Sequence, residues 1–211
     1  MQISQLVLGP IQTNVYFFLD EDTKEGFVVD PGFPSDQIAE VVGQMGMTLK
    51  YILLTHGHYD HILGVPSVKK QFPDAEIIIS VGDERCLSDP NWSLCAKHGI
   101  RQETVAADRV VKEGDRLSIG HTELRVLETP GHTPGSICYL LEDEGILIAG
   151  DTVFQDSYGR TDLKGGSPQQ MAESLYKIGR LEGNYHILPG HGPLTTLDHE
   201  RQVDPYMTRK V

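Results

Sequence analysis

The segment THGHYDHILG, directly after the apolar run YILL, constrains this chain more than any other feature. His56, His58, Asp60 and His61 fall within six consecutive positions, at the end of what reads as a buried strand. A solvated surface run does not place three imidazoles and a carboxylate there. Such donors at that density suit a metal, zinc first, with iron or manganese as alternatives. Six neighbouring residues cannot all turn toward one ion without strain, so alternate residues are expected to serve two ions. Gly57 is expected to permit an unusual backbone turn between the first two histidines.

Three further segments repeat the same grammar of apolar strand, Gly or Pro, then ligand-type residue. LRVLETPGH ends at His132, ILIAGD at Asp151 and YHILPGH at His191. Ligands on turns at strand ends converge in a layered α/β scaffold. The seven candidates, five His and two Asp, are a natural number for two divalent ions with one carboxylate shared. His98, His121, His186 and His199 lie outside the pattern and read as ordinary polar residues.

Short apolar stretches punctuated by Gly and Pro predict strands at ISQLVL, NVYFFL, GFVVD, YILLT, EIIIS, RLSI, TELRVLE, SICYLL, GILIAG and YHILP. Helical spacing predicts a helix over Asp36–Met45 with Ser35 as its N-cap, and a short one from Gly64 to Phe72. Ser167, Pro168 and Gln170 predict a capped helix start with a full capping box, and Met171, Leu175 and Ile178 form its apolar stripe. A last short helix is expected near Asp198 to Val203. The polar stretch 82–108 reads as short helices and loop covering something. With no linker, residues 1–211 are expected to form one domain, and two similar halves suggest two sheets face to face with helices outside, a four-layer αββα sandwich.

The balance of 18 Lys plus Arg against 30 Asp plus Glu gives −12, which disfavours nucleic acid and anionic membrane as partners. The N-terminus lacks the pattern of a signal peptide, no apolar run approaches spanning length, and Cys86, Cys95 and Cys138 form no disulfide framework. The expectation is a cytoplasmic chain with free, non-catalytic thiols, for which a homodimer is compatible.

The four ligand segments resemble the metallo-β-lactamase superfamily pattern of H-x-H-x-D-H, then His, Asp and His. TPGHTPGS, AGDTVF, YGRTDLKGGS and LPGHGPLTTLDHER make the chain similar to compact glyoxalase-II-like (hydroxyacylglutathione hydrolase) enzymes. The resemblance implies His56, His58 and His132 on a first metal, Asp60, His61 and His191 on a second, and Asp151 bridging. It also implies a catalytic part for Asp60 beside a metal-bound hydroxide. Arg160, nine residues past the Ala-Gly-Asp turn, matches a basic residue that meets the glutathione portion; the alternative is a structural Arg paired with Asp162. Full hydroxyacylglutathione hydrolases grip glutathione with a C-terminal helical domain, whereas about twenty residues follow His191 here.

Two divalent cations against Asp60, Asp151 and a hydroxide leave the site positive, which favours a small anionic acyl substrate. Coordination brings the pKa of water from about 15.7 to about 7, and a thiolate of pKa about 8.5 leaves without an acid, so a thioester is expected rather than an amide. The main alternative is a persulfide dioxygenase with one iron on His56, His132 and Asp151, which such enzymes pair with a run like Gly159–Asp162. A lactonase or phosphodiesterase on the same scaffold is a further alternative.

Overall fold

A computed structural model of the chain describes residues 1–209. The first half contains β1 (Gln2–Leu8), β2 (Thr13–Leu19), β3 (Glu25–Val29), α1 (Gln37–Met45), β4 (Thr48–Leu53), α2 (Tyr59–Ile62), α3 (Val65–Gln71), β5 (Glu76–Ser80) and β6 (Arg109–Val111). Its strands form one sheet in the order β1-β2-β3-β4-β5-β6, antiparallel up to β3 and parallel beyond it. The second half contains β7 (Arg116–Ile119), β8 (Thr122–Glu128), β9 (Ile137–Leu141), β10 (Ile146–Gly150), a small hairpin of β11 (Val153–Phe154) and β12 (Ser157–Tyr158), α4 (Pro168–Gly179), β13 (His186–Pro189), β14 (Thr195–Thr196), α5 (Leu197–Val203) and α6 (Pro205–Thr208). The second sheet runs β14-β13-β10-β9-β8-β7, with β10 and β13 its parallel pair.

The strand period of two sorts each strand between cores. In β2, Val15, Phe17 and Leu19 face α1 and α3, while Tyr16 and Phe18 enter the space between the sheets. In β9, Ile137, Tyr139 and Leu141 enter that same space, while Cys138 and Leu140 face α4. Three apolar layers between four structural layers give the αββα sandwich. In its centre Phe18 and Phe27 stack with ring centroids 4.6 Å apart; truncating such a ring costs about 3–5 kcal/mol. Among the described residues no helix is long and apolar enough to cross a membrane.

Local starts and stops differ from the sequence reading in identifiable ways. Helix α1 begins one residue late, with Asp36 as N-cap, although Ser35 Oγ still accepts the Gln37 N–H at 3.3 Å. The capping box at α4 is only half made. Ser167 Oγ accepts the Gln170 N–H at 3.3 Å, but the Ser167 N–H is taken by the Gly131 carbonyl, so the Gln170 side chain has nothing to cap. Helix α5 starts at Leu197 because Thr196 Oγ1 accepts the His199 N–H. Strand β6 escaped prediction because it spans three residues and buries only Val111. The segment before it carries two 3-10 turns, Glu84–Leu87 and Ala96–His98.

Candidate metal centre

All four ligand segments emerge from strand ends at one edge of the sandwich: after β4, β8, β10 and β13. The two sheets are tied together there. Thr55 C=O accepts the Ile137 N–H at 2.9 Å, and Leu54 C=O accepts the Tyr139 hydroxyl at 3.0 Å. The His191 turn is held to the first sheet by Asn14, whose Nδ2 donates to the carbonyls of Pro189 and Gly192 at 2.9 Å each. Tyr16 adds a hydroxyl bond to the Pro189 carbonyl at 2.8 Å.

The seven predicted ligands come together. His56, His58 and His132 offer donor atoms all within 4.8 Å of one another, and so do Asp60, His61 and His191; His56, His61 and Asp151 form a third such group. His58 Nδ1 faces His132 Nε2 at 2.8 Å, and His61 Nε2 faces His191 Nε2 at 3.3 Å. Asp151 stands between the triads, with Oδ2 3.5 Å from His132 Nε2 and Oδ1 3.4 Å from His61 Nε2. His56 Nε2, His58 Nε2 and Asp151 Oδ1 are buried without a hydrogen-bond partner among the described residues. Buried polar atoms are normally paired. Orphaned imidazole and carboxylate atoms amid other unshared donors therefore fit divalent cations of the zinc type, which bind through N and O.

Residues behind the ligands fix their rings. Asp30 Oδ2 accepts from His61 Nδ1 at 2.9 Å, the Arg160 carbonyl from His132 Nδ1 at 2.8 Å, and the Ile11 carbonyl from His191 Nδ1 at 3.1 Å. Each bond commits one ring nitrogen as donor and turns the lone pair of the other toward the centre. Asp83 braces two ligand turns together. Its carboxylate accepts the Gly57 N–H at 2.8 Å, the Thr133 hydroxyl at 2.6 Å and the Gly135 N–H at 2.9 Å.

Charge separates within the cluster. Burial pushes His56 well below its ordinary pKa, helped by the neighbouring imidazoles, and takes His58 down to about 3. Burial also works to lower His61, but Asp60, Asp151 and Asp30 outweigh it and raise that ring. Burial works to raise Asp60, but His61 and His191 hold it well below the usual carboxylate range. His56 and His58 are thus neutral imidazoles, the form that binds metal, and the second triad brings an ionised carboxylate.

At Gly57 and Gly190 glycine matters for close approach, whereas Gly131 and Gly150, just before His132 and Asp151, have positive φ of 139° and 49°. Gly57 does not adopt a left-handed conformation. It is needed because a Cβ at that position would overlap the Cβ of Cys86 and lie 2.6 Å from its Sγ. Gly190 has no room for a Cβ either, since Asp151 Oδ1 occupies the space.

The cluster floors an open cleft of about 410 Å³. Its walls are Ile11, Tyr59, Leu94 and Leu163 together with Lys97, His98 and Arg160. Arg160 projects 62% exposed and is held by Asp162 through two bonds of 2.7 Å, while its carbonyl orients His132. His98, which lay outside the ligand pattern, lines the cleft and packs on Tyr59 with centroids 4.8 Å apart. Of the other histidines, His199 bonds Asp156 at 2.7 Å beside the buried Glu200, bracing the β11–β12 hairpin. The thiols are buried and raised by burial, Cys138 to about 11.

The sequence pattern pointed to all seven of the clustered donors but to none of Asn14, Tyr16, Asp30 or Asp83. Asp30 could have been noticed in GFVVDPG, where a carboxylate follows a buried strand as Asp151 does.

The profile of the Metallo-beta-lactamase superfamily matches residues 8–193. The chain is 33% identical over 209 residues to the probable metallo-hydrolase YqgX of Bacillus subtilis (strain 168), covering 98% of each. It is 29% identical over 213 residues to the hydroxyacylglutathione hydrolase GloC of Haemophilus influenzae, covering all of each. It superposes on the crystal structure of the BLEG-1 B3 metallo-beta-lactamase with a TM-score of 0.91 and 36% identity, covering 99% of this chain and 100% of that one. Profile, sandwich and the convergent His and Asp turns agree, and the chain belongs to the metallo-beta-lactamase superfamily.

Proposed function

We propose that the protein is a dinuclear metal-dependent hydrolase of small anionic acyl compounds, with a thioester of the hydroxyacylglutathione kind as the leading substrate. The observation that supports this best is the pair of donor triads, with Asp151 between them, on the floor of a cleft open to solvent. A structural zinc site would be closed and four-coordinate. His56, His58 and His132 would hold one ion, Asp60, His61 and His191 the other, and Asp151 both. Bound there, the pair, zinc or alternatively iron or manganese, would supply an acidified water and a Lewis acid for the carbonyl oxygen.

The chain's own residues do the rest. Asp30 and the carbonyls of Arg160 and Ile11 keep the rings aimed, so the donor set is preorganised. Asp60 remains ionised beside His61 and His191 and presents its carboxylate to the cleft. Lys97 and Arg160 on the wall favour an anionic carrier. Thioester hydrolysis breaks the C–S bond and forms a C–O bond from water; one proton ends on the thiol and the other leaves as the acid ionises. Burial raises Tyr59, which carries the hydroxyl on the cleft wall, and that makes it a poor proton donor. A leaving group that departs as a thiolate suits such a site.

A second reading, β-lactam hydrolysis, is favoured by the 36% identity to BLEG-1 over full chains. The test is one metal-loaded preparation assayed on S-D-lactoylglutathione, a β-lactam, a lactone and a phosphodiester, with metal content measured on the same sample. The expected result is highest kcat/KM on the thioester, loss on chelation and return with zinc. A β-lactam turned over tenfold better would establish the second reading. One iron per chain with oxygen uptake on a persulfide would overturn the hydrolase assignment.

A further inference from the structure

We infer that the acyl part of the substrate is a short apolar chain, received by a side pocket that opens off the cleft beside Asp60. The inference rests on the thioester-hydrolase reading and refines its substrate, replacing the hydroxyacyl part with an apolar acyl group at that same site. The side pocket, about 30 Å³, is walled by Leu8, Ile11, Phe33, Leu63 and Ile100. It shares Ile11, Tyr59 and Asp60 with the main cleft, so the two spaces adjoin at these residues.

Leu8 comes from the core, but most of the apolar wall does not. Ile11, Phe33 and Ile100 belong to none of the three apolar layers. Ile11 is 46% and Phe33 42% exposed, from two different loops, yet both border this one small space. Single exposed apolar residues are ordinary; two meeting in a pocket beside the cleft point to a ligand. The backbone is also arranged to bring Phe33 there. A Cβ on Gly32 would run into the Asp60 carbonyl, and one on Gly64 would lie 2.7 Å from the Phe33 carbonyl oxygen. Gly9, in the left-handed region at φ 75°, lies under the Phe33 ring, so that a Cβ there would be 3.4 Å from it.

The two flanks of the donor cluster therefore differ in chemistry. On the His132 side the wall carries Arg160, with Lys97 and His98 also on the cleft. On the Asp60 side it is apolar, with Thr13 buried and Tyr59 and Asp60 at the junction. A substrate with an anionic carrier and an apolar acyl group matches both flanks when its carbonyl lies over the cluster. One water needs about 10–15 Å³ of such space, so the pocket takes two or three methyl-sized groups. That is the size of a butyryl or isobutyryl tail, and a lactoyl hydroxyl would meet an apolar wall.

The test uses the zinc-loaded protein and acetyl, D-lactoyl, butyryl, isobutyryl and octanoyl thioesters of one carrier thiol. The four-carbon acyl groups are expected to exceed acetyl by about ten- to a hundredfold in kcat/KM, the range of one or two buried methylenes, with octanoyl falling back. Phe33→Ala is expected to lower the butyryl rate at least tenfold more than the acetyl rate, with metal content and circular dichroism as in the parent. Equal rates across the series, lactoyl above butyryl, or equal losses in the variant would overturn the pocket. Calorimetric titration with acetate, lactate and butyrate reads the pocket without turnover. Butyrate binding tighter than lactate, and losing that advantage in Phe33→Ala, supports the pocket even if no thioester is cleaved, an outcome that removes the thioester reading alone. Thioester turnover without carboxylate preference keeps that reading and removes the pocket.

Discussion

Asp30 Oδ2 lies 2.9 Å from His61 Nδ1, and both side chains are sealed from solvent. Asp30 also accepts the Thr55 N–H at 2.8 Å and the Thr55 hydroxyl at 2.6 Å, and it does so from a left-handed backbone at φ 49°. A non-glycine residue held there is strained, and the strain is retained at a functional site. Asp30→Ala should leave all seven ligands in place yet weaken metal affinity about ten- to a hundredfold. Chelator competition measures this; parent-like affinity would reduce Asp30 to a structural residue.

Removal of ligands should separate the two sites. His58→Ala deletes the nitrogen that faces His132 at 2.8 Å, so the first site should empty and activity fall with it. Asp151→Ala leaves both triads but removes the carboxylate between them, so one ion should leave at lower chelator concentration than in the parent protein. Metal stoichiometry by mass spectrometry distinguishes the two; unchanged stoichiometry in His58→Ala, or unchanged chelator resistance in Asp151→Ala, would contradict the ligand assignment.

The contact of Gly57 with Cys86 predicts a coupled pair. Gly57→Ala should cost about 1–3 kcal/mol by overpacking and loosen the His56–His58 turn. Cys86→Gly should recover part of that loss, a coupling that a double-mutant cycle on urea midpoints will show. The thiol itself is dispensable. Cys86, Cys95 and Cys138 replaced together by Ser should retain turnover, because burial keeps all three protonated at neutral pH.

How much of this was legible beforehand follows from the range of each signal. The seven candidate donors announced themselves because each follows an apolar run within seven residues, a pattern carried within a short window. Core strands such as β2 and β10 were legible for the same local reason. Asp83 was not, because its meaning lies in reaching Gly57, Thr133 and Gly135, up to 52 positions away. The Gln170 capping box failed for a related reason, as the Gly131 carbonyl arrived from outside the window and took the donor first.

Arg160 is expected to act modestly. Asp162 engages its guanidinium in two bonds, and only its main-chain carbonyl touches a ligand. Arg160→Ala should leave metal content intact and raise KM for an anionic thioester by no more than about fivefold, as for an exposed ion pair. A neutral ester should show no change in KM. Loss of metal in this variant would mean that the loop, and not the charge, was altered.

Strong acid should remove a stabilisation held by Asp20. Its carboxylate accepts bonds chiefly from Thr23, and also from His121 and Asp22, which bring its pKa down to about 2. The folded value lies below the unfolded one of about 3.9, so the stabilisation is complete above that value and fades as pH falls toward 2. Metal-free parent and Asp20→Asn should differ in urea midpoint at pH 6 and converge by pH 2. A difference that grows on acidification would refute the assignment.

The division of donors between the halves has a consequence in time. Four of the seven candidate donors lie between His56 and His61, and the others wait at 132, 151 and 191. A nascent chain carrying only its first sheet owns no complete triad, because His132 and His191 each finish one. Both sets close only after residue 191 has been made and its turn has docked on Asn14. The growing polypeptide therefore cannot assemble both donor sets early, and the cluster is among the last parts of the molecule to come into being.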